Sequence, residues 1–267
     1  MQNAEIGHVQ LMAILNVTPD SFSDGGKYFS PEAAIARALE LERQGADILD
    51  IGAQSTRPGC EPVSPEEELR RLRPVLEGLR GRLSIPISVD TFYPQVAREA
   101  LALGAGIIND VSGTVSEEMA AIVKSNDAYW ILMHNQNGAD FEGQYDDVVS
   151  EVHAALENMA RQAMALGVPK ERIWLDPGIG FGKSNEDNLR LLANLDRVRV
   201  EGFPLLAGVS RKRVTGGTEA GTAAAQAIAQ MAGIDILRTH DIASARQNII
   251  FIRNILRLRI DKSCESM

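Results

Sequence analysis

Seven short apolar runs in this chain lead into residues that can bind or carry charge. They reach Asn16, Asp90, Asn109, His134, Asp176, the group Ser210-Arg211-Lys212-Arg213 and the group Arg238-Thr239-His240-Asp241. Singly, each has an ordinary structural explanation, because an Asp after an apolar run is more often a helix N-cap than a ligand. Seven such ends converging on one mouth are much harder to explain that way. Asp90, Asn109 and Asp176 supply acceptors and an amide. A carboxylate can take two parallel hydrogen bonds from an adjacent ring N–H and exocyclic amine, as in guanine-like heterocycles. Val111, Met133 and Phe181 supply apolar walls for a flat ring. Arg57, Lys212, Arg238 and His240 bring cations to the same mouth, suited to an anionic leaving group or a phosphate. The spacing points to an enzyme that binds a planar nitrogen heterocycle carrying phosphate.

The elements that must position these residues follow from periodicity. Short β-branched runs at 11–17, 47–51, 85–89, 107–108, 129–133, 173–175, 205–209 and 236–237 alternate with helical patterns. Those patterns fall near 31–44, 65–80, 94–103, 117–125, 146–166, 186–199, 219–232 and 242–260. Ser30-Pro31-Glu32 and Ser64-Pro65-Glu66 each set a capping hydroxyl before a first-turn proline and an acid. Gly45, Gly104, Gly167 and Gly233 mark helix stops. Eight strand–helix units without a linker predict an α/β fold, a (β/α)8 TIM barrel over residues 1–267 as a single domain; a doubly wound open sheet is the alternative. A barrel enzyme builds its site at the C-terminal strand ends. The stretch from Asn16 through Gly59 carries two long polar loops, and long βα loops are usually functional.

Composition narrows the function classes. The 267 residues are 45% hydrophobic and 24% charged, which excludes a disordered chain. Lys and Arg number 27 against 36 Asp and Glu, a net charge of −9, which argues against nucleic acid as a partner. No apolar run is long enough to span a membrane. The start, MQNAEIGHVQ, lacks the basic stretch and apolar core of a signal peptide, and two cysteines cannot build a disulfide framework, so a cytoplasmic location is expected. The segment Asp176-Pro177-Gly178-Ile179-Gly180-Phe181-Gly182-Lys183-Ser184 imitates a phosphate-binding loop, but Pro177 occupies the place of the required first glycine. Zinc-type spacing and a Gly-x-Ser-x-Gly elbow are both missing from the sequence.

Two long segments carry a family resemblance: Leu15-Asn16-Val17-Thr18-Pro19-Asp20-Ser21-Phe22-Ser23-Asp24-Gly25-Gly26 and Asp50-Ile51-Gly52-Ala53-Gln54-Ser55-Thr56-Arg57-Pro58-Gly59. They resemble the two signatures of the dihydropteroate synthases. The likeness continues through Ile87-Ser88-Val89-Asp90-Thr91, Ile107-Ile108-Asn109-Asp110, Leu132-Met133-His134 and Leu175-Asp176-Pro177-Gly178 to Ser210-Arg211-Lys212 and Arg238-Thr239-His240-Asp241. The resemblance implies condensation of 6-hydroxymethyl-7,8-dihydropterin diphosphate with 4-aminobenzoate, giving 7,8-dihydropteroate and pyrophosphate. It assigns Asp90, Asn109, Asp176 and Lys212 to the pterin, with Val111, Met133, Phe181 and Gly208 around it. It assigns Asn16, Arg57, Arg238 and His240 to the diphosphate, Asn16 also to Mg2+, and these four with Lys212 to catalysis. Phe22, Thr56, Pro58, Lys212 and Arg213 match the 4-aminobenzoate pocket. The family forms homodimers through its late helices, and residues 249–260 are apolar enough for that.

The chain departs from the family pattern in the second signature, where Ala53 and Gln54 replace the usual Gly and Glu. Glutamine keeps the shape and loses the charge. The segment after Lys212 is short, and Cys60 in the second loop reads as incidental. A pterin-binding methyltransferase acting on a corrin would share the pocket but lack Ser55-Thr56-Arg57-Pro58-Gly59. A non-catalytic pterin-binding scaffold would not need Asn16, Arg57, Asp90, Lys212 and His240 intact.

Overall fold

Alternation with period two places successive side chains on opposite faces of each strand, and this chain uses both faces. The computed structural model describes residues 9–18, 30–54, 63–135 and 145–264, with side chains through 258. Its strands are β1 (Gln10–Asn16), β2 (Ile48–Gly52), β3 (Ile87–Asp90), β4 (Ile107–Asp110), β5 (Tyr129–Met133), β6 (Ile173–Asp176), β7 (Leu206–Gly208) and β8 (Ile236–Thr239). The helices are α1 (Pro31–Arg43), α2 (Pro65–Leu79), α3 (Pro94–Ala102), α4 (Glu117–Ser125), α5 (Val148–Ala165), α6 (Asn185–Ala193), α7 (Leu195–Val198), α8 (Glu219–Met231) and α9 (Ile242–Cys264).

All strand pairs are parallel and run in the order β6-β5-β4-β3-β2-β1-β8-β7. The remaining seam, between β6 and β7, is crossed by a bridge from Leu175 to Leu205, so the sheet is a nearly closed barrel rather than a doubly wound open sheet. The expected caps form: Ser30 Oγ accepts the Ala33 N–H and Ser64 Oγ accepts the Glu67 N–H. Gly45, just past α1, holds φ at 96°, the left-handed turn that lets the chain reverse into β2.

One helix and the ends of four strands that reach the site differ from the sequence expectation. The helix expected over 186–199 is divided at Asn194, which leaves helical geometry (φ −132°, ψ 33°) and separates α6 from α7. Strands β3, β4, β6 and β8 run one or two residues beyond the expected ends, taking in Asp90, Asn109 and Asp110, Asp176, and Arg238 and Thr239. Their polarity suggested loops, but parallel ladders hold their backbones; polar partners inside the barrel hold Asp90, Asn109 and Arg238, while Asp110 accepts from Trp130 Nε1 and Thr239 from Gln226 of α8.

The helix-facing residues of the strands join the main core, including Leu11, Leu15, Leu49, Val89, Ile108, Trp130 and Leu237. Their alternates point into the barrel. Met12, Ile48, Ile107, Ile131, Trp174, Leu206 and Ile236 form a separate apolar cluster there. Two residues further along the same strands stand Asp50, Asn109, Met133, Asp176, Gly208 and Arg238. The barrel interior is thus an apolar floor with a polar layer one pleat repeat above it.

Behind β3, Glu68 of α2 is fully buried. Burial pushes its carboxyl up to about 7; Thr91 opposes the rise, Asp90 adds to it and Arg71 opposes it. The unfolded chain ionises this group near 4.5, whereas the folded chain keeps the proton up to about 7. Folding stability from this residue is therefore complete below about pH 4.5 and is lost as pH rises through 7. Glu68→Gln keeps the shape without the titration. Its melting temperature should match that of the unmodified chain near pH 4.5 and exceed it at about pH 8. An offset that does not change with pH would contradict this.

Candidate active site

The polar layer is organised around Arg238 on β8. Its Nε donates to Asp50 Oδ2 at 2.7 Å and its Nη2 to Asp90 Oδ2 at 2.7 Å. Asn109 Nδ2 donates to the same Asp50 oxygen at 3.2 Å. Four strands, β2, β3, β4 and β8, are therefore tied at one level of the barrel. Asp50 is 0% exposed and the Arg238 side chain 17%. Burial works against the guanidinium, and the charges of Asp50 and Asp90 outweigh it. Burial raises the Asp90 carboxyl, with Arg238 opposing and Asp50 and Asp110 adding to the rise.

Across the mouth, Asp176 ends β6 and its Oδ1 accepts the Gly178 N–H at 2.7 Å. Burial raises this carboxyl and the Lys212 charge opposes the rise. Lys212 Nζ donates to the Ile179 carbonyl and lies 4.6 Å from the centre of the Phe181 ring, a cation–π contact. Burial lowers the ammonium to about 8, with Asp176 opposing, so it remains largely charged at neutral pH. Gly208 separates the two cations: a Cβ there would stand 3.8 Å from Lys212 Nζ and 3.8 Å from Arg238 Cβ.

The other expected residues fall around this cluster. Val111 and Met133 are buried at the exits of β4 and β5, and Met133 is in register with Asp176. Asn16 ends β1 half-buried and is in register with Gly52. A Cβ on Gly52 would sit 3.7 Å from Asn16 Oδ1 and 3.5 Å from Asp90 Cβ, which brings these residues to one place. His240 follows β8, with its Nδ1 2.9 Å from Ser210 Oγ after β7. Arg213 is exposed and opens the 3-10 turn after Lys212, which ends on the buried Thr215. Phe22, Thr56, Arg57, Pro58 and Cys60 lie outside the described residues.

His134, one of the seven strand exits, does not act as a titrating group. It is buried, and burial together with the Lys183 charge lowers its pKa to about 3, so it stays neutral. A cavity of about 390 Å³ lined by His153, Glu157, Arg161, Arg199 and Phe203 lies away from the strand exits and holds none of the residues above. Sequence reasoning missed Asp50 and the Ser210–His240 pair. A charged residue two positions after Ile48, in a strand buried on both faces, was the available signal for Asp50. The Gln54 substitution also has a visible consequence. Gln54 Oε1 accepts the Val63 N–H at 3.4 Å, and Ala53 O accepts from Arg71 Nη1 at 2.9 Å, so the neutral side chain retains an acceptor at the base of its loop.

The family model described as "Pterin binding enzyme" matches residues 12–240. A dihydropteroate synthase of Streptococcus pyogenes is 44% identical over 257 residues, covering 92% of this chain and 95% of that protein. The chain belongs to the dihydropteroate synthase family of pterin-binding enzymes. A solved dihydropteroate synthase of Xanthomonas albilineans, with 4-aminobenzoic acid, superposes with a TM-score of 0.87 at 45% identity, covering 93% of each chain. One from Thermus thermophilus, in complex with 6HMPPP, superposes at 0.78 with 44% identity, covering 90% of this chain and 92% of that one. This family consists of transferases of folate synthesis that join a pterin diphosphate to 4-aminobenzoate, and that is the function of this chain.

Proposed function

We propose that the polar layer at the barrel mouth is where this chain performs the condensation of 6-hydroxymethyl-7,8-dihydropterin diphosphate with 4-aminobenzoate. The observation that carries this reading is the set of Asn109, Asp176 and Arg238, one pleat repeat above an apolar floor, with Asp90 bonded to Arg238 and Lys212 held over Phe181. Asp176 takes the ring N–H and the exocyclic amine, since its second oxygen is available beyond the Gly178 bond. Asn109 and Asp90 meet the other polar edges of the ring. Lys212 donates from above Phe181, and Val111, Met133 and Gly208 complete the walls. Asn16, Arg238 and His240 are proposed to meet the diphosphate, and the family resemblance adds Arg57, which lies outside the described residues. Phe22, Thr56, Pro58 and Arg213, together with Lys212, form the 4-aminobenzoate side, a proposal that rests on the family resemblance.

The reaction breaks the bond between the exocyclic methylene carbon and the bridging oxygen, whose electron pair departs with pyrophosphate. The aniline nitrogen supplies the pair for the new C–N bond and then releases a proton. An aniline is a weak nucleophile, so stabilising the leaving group must lower most of the barrier. Arg238 does this with N–H groups beyond the two given to Asp50 and Asp90, and those carboxylates hold it in place before the charge develops. No covalent attachment to the protein is required.

Mg2+ is proposed to arrive with the diphosphate. Among the described residues no cluster of three or more His, Cys, Asp or Glu could hold a metal ion. Asn16 offers one hard carboxamide oxygen, which fits an ion that takes most of its ligands from phosphate oxygens and water. When bound, the ion neutralises charge on the departing pyrophosphate. Pyrophosphate release from the pterin diphosphate should require both 4-aminobenzoate and Mg2+, and should stop on chelation. Asp176→Asn should weaken a pterin analogue at least tenfold by calorimetry, since a mismatched buried donor pair costs roughly 1–3 kcal/mol. Release independent of 4-aminobenzoate, or unchanged analogue affinity, would overturn this reading.

A homodimer through α8 and α9 is proposed on a second observation. Phe251 is 65% exposed and Leu258 67%, with Ile228, Met231, Ile250 and Ile255 also exposed on the same two helices. No described helix is long and apolar enough to cross a membrane, so this patch is not part of a span. A cytoplasmic setting agrees with the use of only two cysteines. Phe251→Asp should convert a dimer to a monomer in sedimentation velocity. A monomeric parent chain, or a variant that stays dimeric, would contradict the interface.

A further inference from the structure

Gly182-Lys183-Ser184 imitates the end of a phosphate-binding loop, yet the structure turns its lysine inward. Lys183 is 3% exposed, and its Nζ donates to Phe181 O at 2.9 Å, Gly178 O at 3.0 Å and His134 O at 3.3 Å. An ammonium has three N–H donors, so all three are committed to main-chain carbonyls and none is left for a phosphate. Ser184 is committed as well, its Oγ accepting Asp187 N at 3.1 Å to cap α6. Asn188 holds the same loop from the other side, accepting Gly180 N at 2.6 Å and donating to Lys183 O at 3.2 Å.

What this loop carries is the face of the proposed pterin pocket. Its first residue is Asp176, bonded to Gly178 N; its Ile179 carbonyl receives Lys212 Nζ; its Phe181 ring lies under the same ammonium. Gly178 (φ 65°) packs so tightly on the β5 exit that a Cβ would stand 1.9 Å from His134 O. The Lys183 ammonium reaches both sides of that contact, bonding to the carbonyls of His134 and Gly178 together. Burying an ammonium is costly unless it is fully hydrogen-bonded. Burial lowers this one to about 7, with the Asp176 charge opposing. A residue kept at that cost has three carbonyls to orient.

We infer that Lys183 is a positioning residue for pterin recognition, which locks the 176–184 loop against the exit of β5 and so places Asp176, Phe181 and Lys212 without touching the ligand. This rests on the pocket assignment made above. Lys183→Met keeps the apolar stem and removes the three donors. It should raise KM for the pterin diphosphate, and the Kd of a pterin analogue, at least tenfold. KM for 4-aminobenzoate at saturating pterin diphosphate should rise by a smaller factor, since Lys212 is the one group of the three that the two substrates share. Lys183→Arg, which keeps charge and donors, should recover part of the pterin affinity. A folded Lys183→Met with unchanged pterin affinity, or with equal losses for both substrates, would overturn the inference. If that variant does not fold, reductive methylation of the unmodified protein tests the same point. A bound pterin analogue should slow labelling of Lys183 at least fivefold relative to exposed Lys124, because ligand and tether stabilise one another, and unchanged labelling would overturn it. Asp176→Asn, measured alongside, separates the two readings. If it also binds normally the pocket assignment fails and the inference with it, whereas loss in Asp176→Asn with normal binding in Lys183→Met rejects the tether alone.

Discussion

Arg238 held between Asp50 and Asp90 is the interaction on which the barrel mouth depends. Removing charges from water carries a penalty of several kcal/mol per ion, and it is offset only when geometry and further hydrogen bonds are good. Here the three charges come from β2, β3 and β8, and Asn109 on β4 adds a fourth strand to the network. Such a layer is tolerable only if the register of those strands brings the charges within reach of one another. Asp90 pairs with Asn109 and with Gly52, two residues beyond Asp50, and Gly208 pairs with Arg238. The apolar floor one repeat below keeps the strands together where the polar layer cannot.

The same constraint explains how a chain of net charge −9 presents cations to an anionic substrate. The global charge is spread over surface acids, whereas the mouth concentrates Lys212 and Arg238 in low dielectric, where charge acts more strongly. The two cations are held differently. Arg238 is fixed by carboxylates, while Lys212 rests on an aromatic ring and a carbonyl of the 176–184 loop. One is therefore set by the strands and the other by a loop that must itself be held in shape.

Much of this was legible in the sequence because barrel strands announce themselves twice, by apolar runs and by what ends them. Asp90, Asn109, Asp176 and Arg238 were visible as polar exits, and their convergence followed from the fold class alone. Their place within the strands was not visible, since an isolated Asp or Asn after an apolar run looks the same in a loop or a ladder. Asp50 was hidden for the opposite reason, standing inside a run between Leu49 and Ile51. His134 and Lys183 show a further limit. Each has the residue type of a reactive group, and only burial reveals that one is neutral and the other spent on carbonyls. The break at Asn194 had no signal in the helical pattern, because asparagine is tolerated at most helix positions at small cost.

If the paired-charge layer organises the site, its hidden member should matter as much as the residues that face the ligand. Asp50→Asn keeps size and one acceptor but removes the charge that holds Arg238 and Asn109. Titrating this variant with a pterin analogue, beside urea unfolding, is the most direct test. Analogue affinity should fall at least tenfold, and unfolding free energy should drop by about 2 kcal/mol, the scale for a hydrogen bond to a charged group. Unchanged affinity together with unchanged stability would contradict a site built on that ion pair.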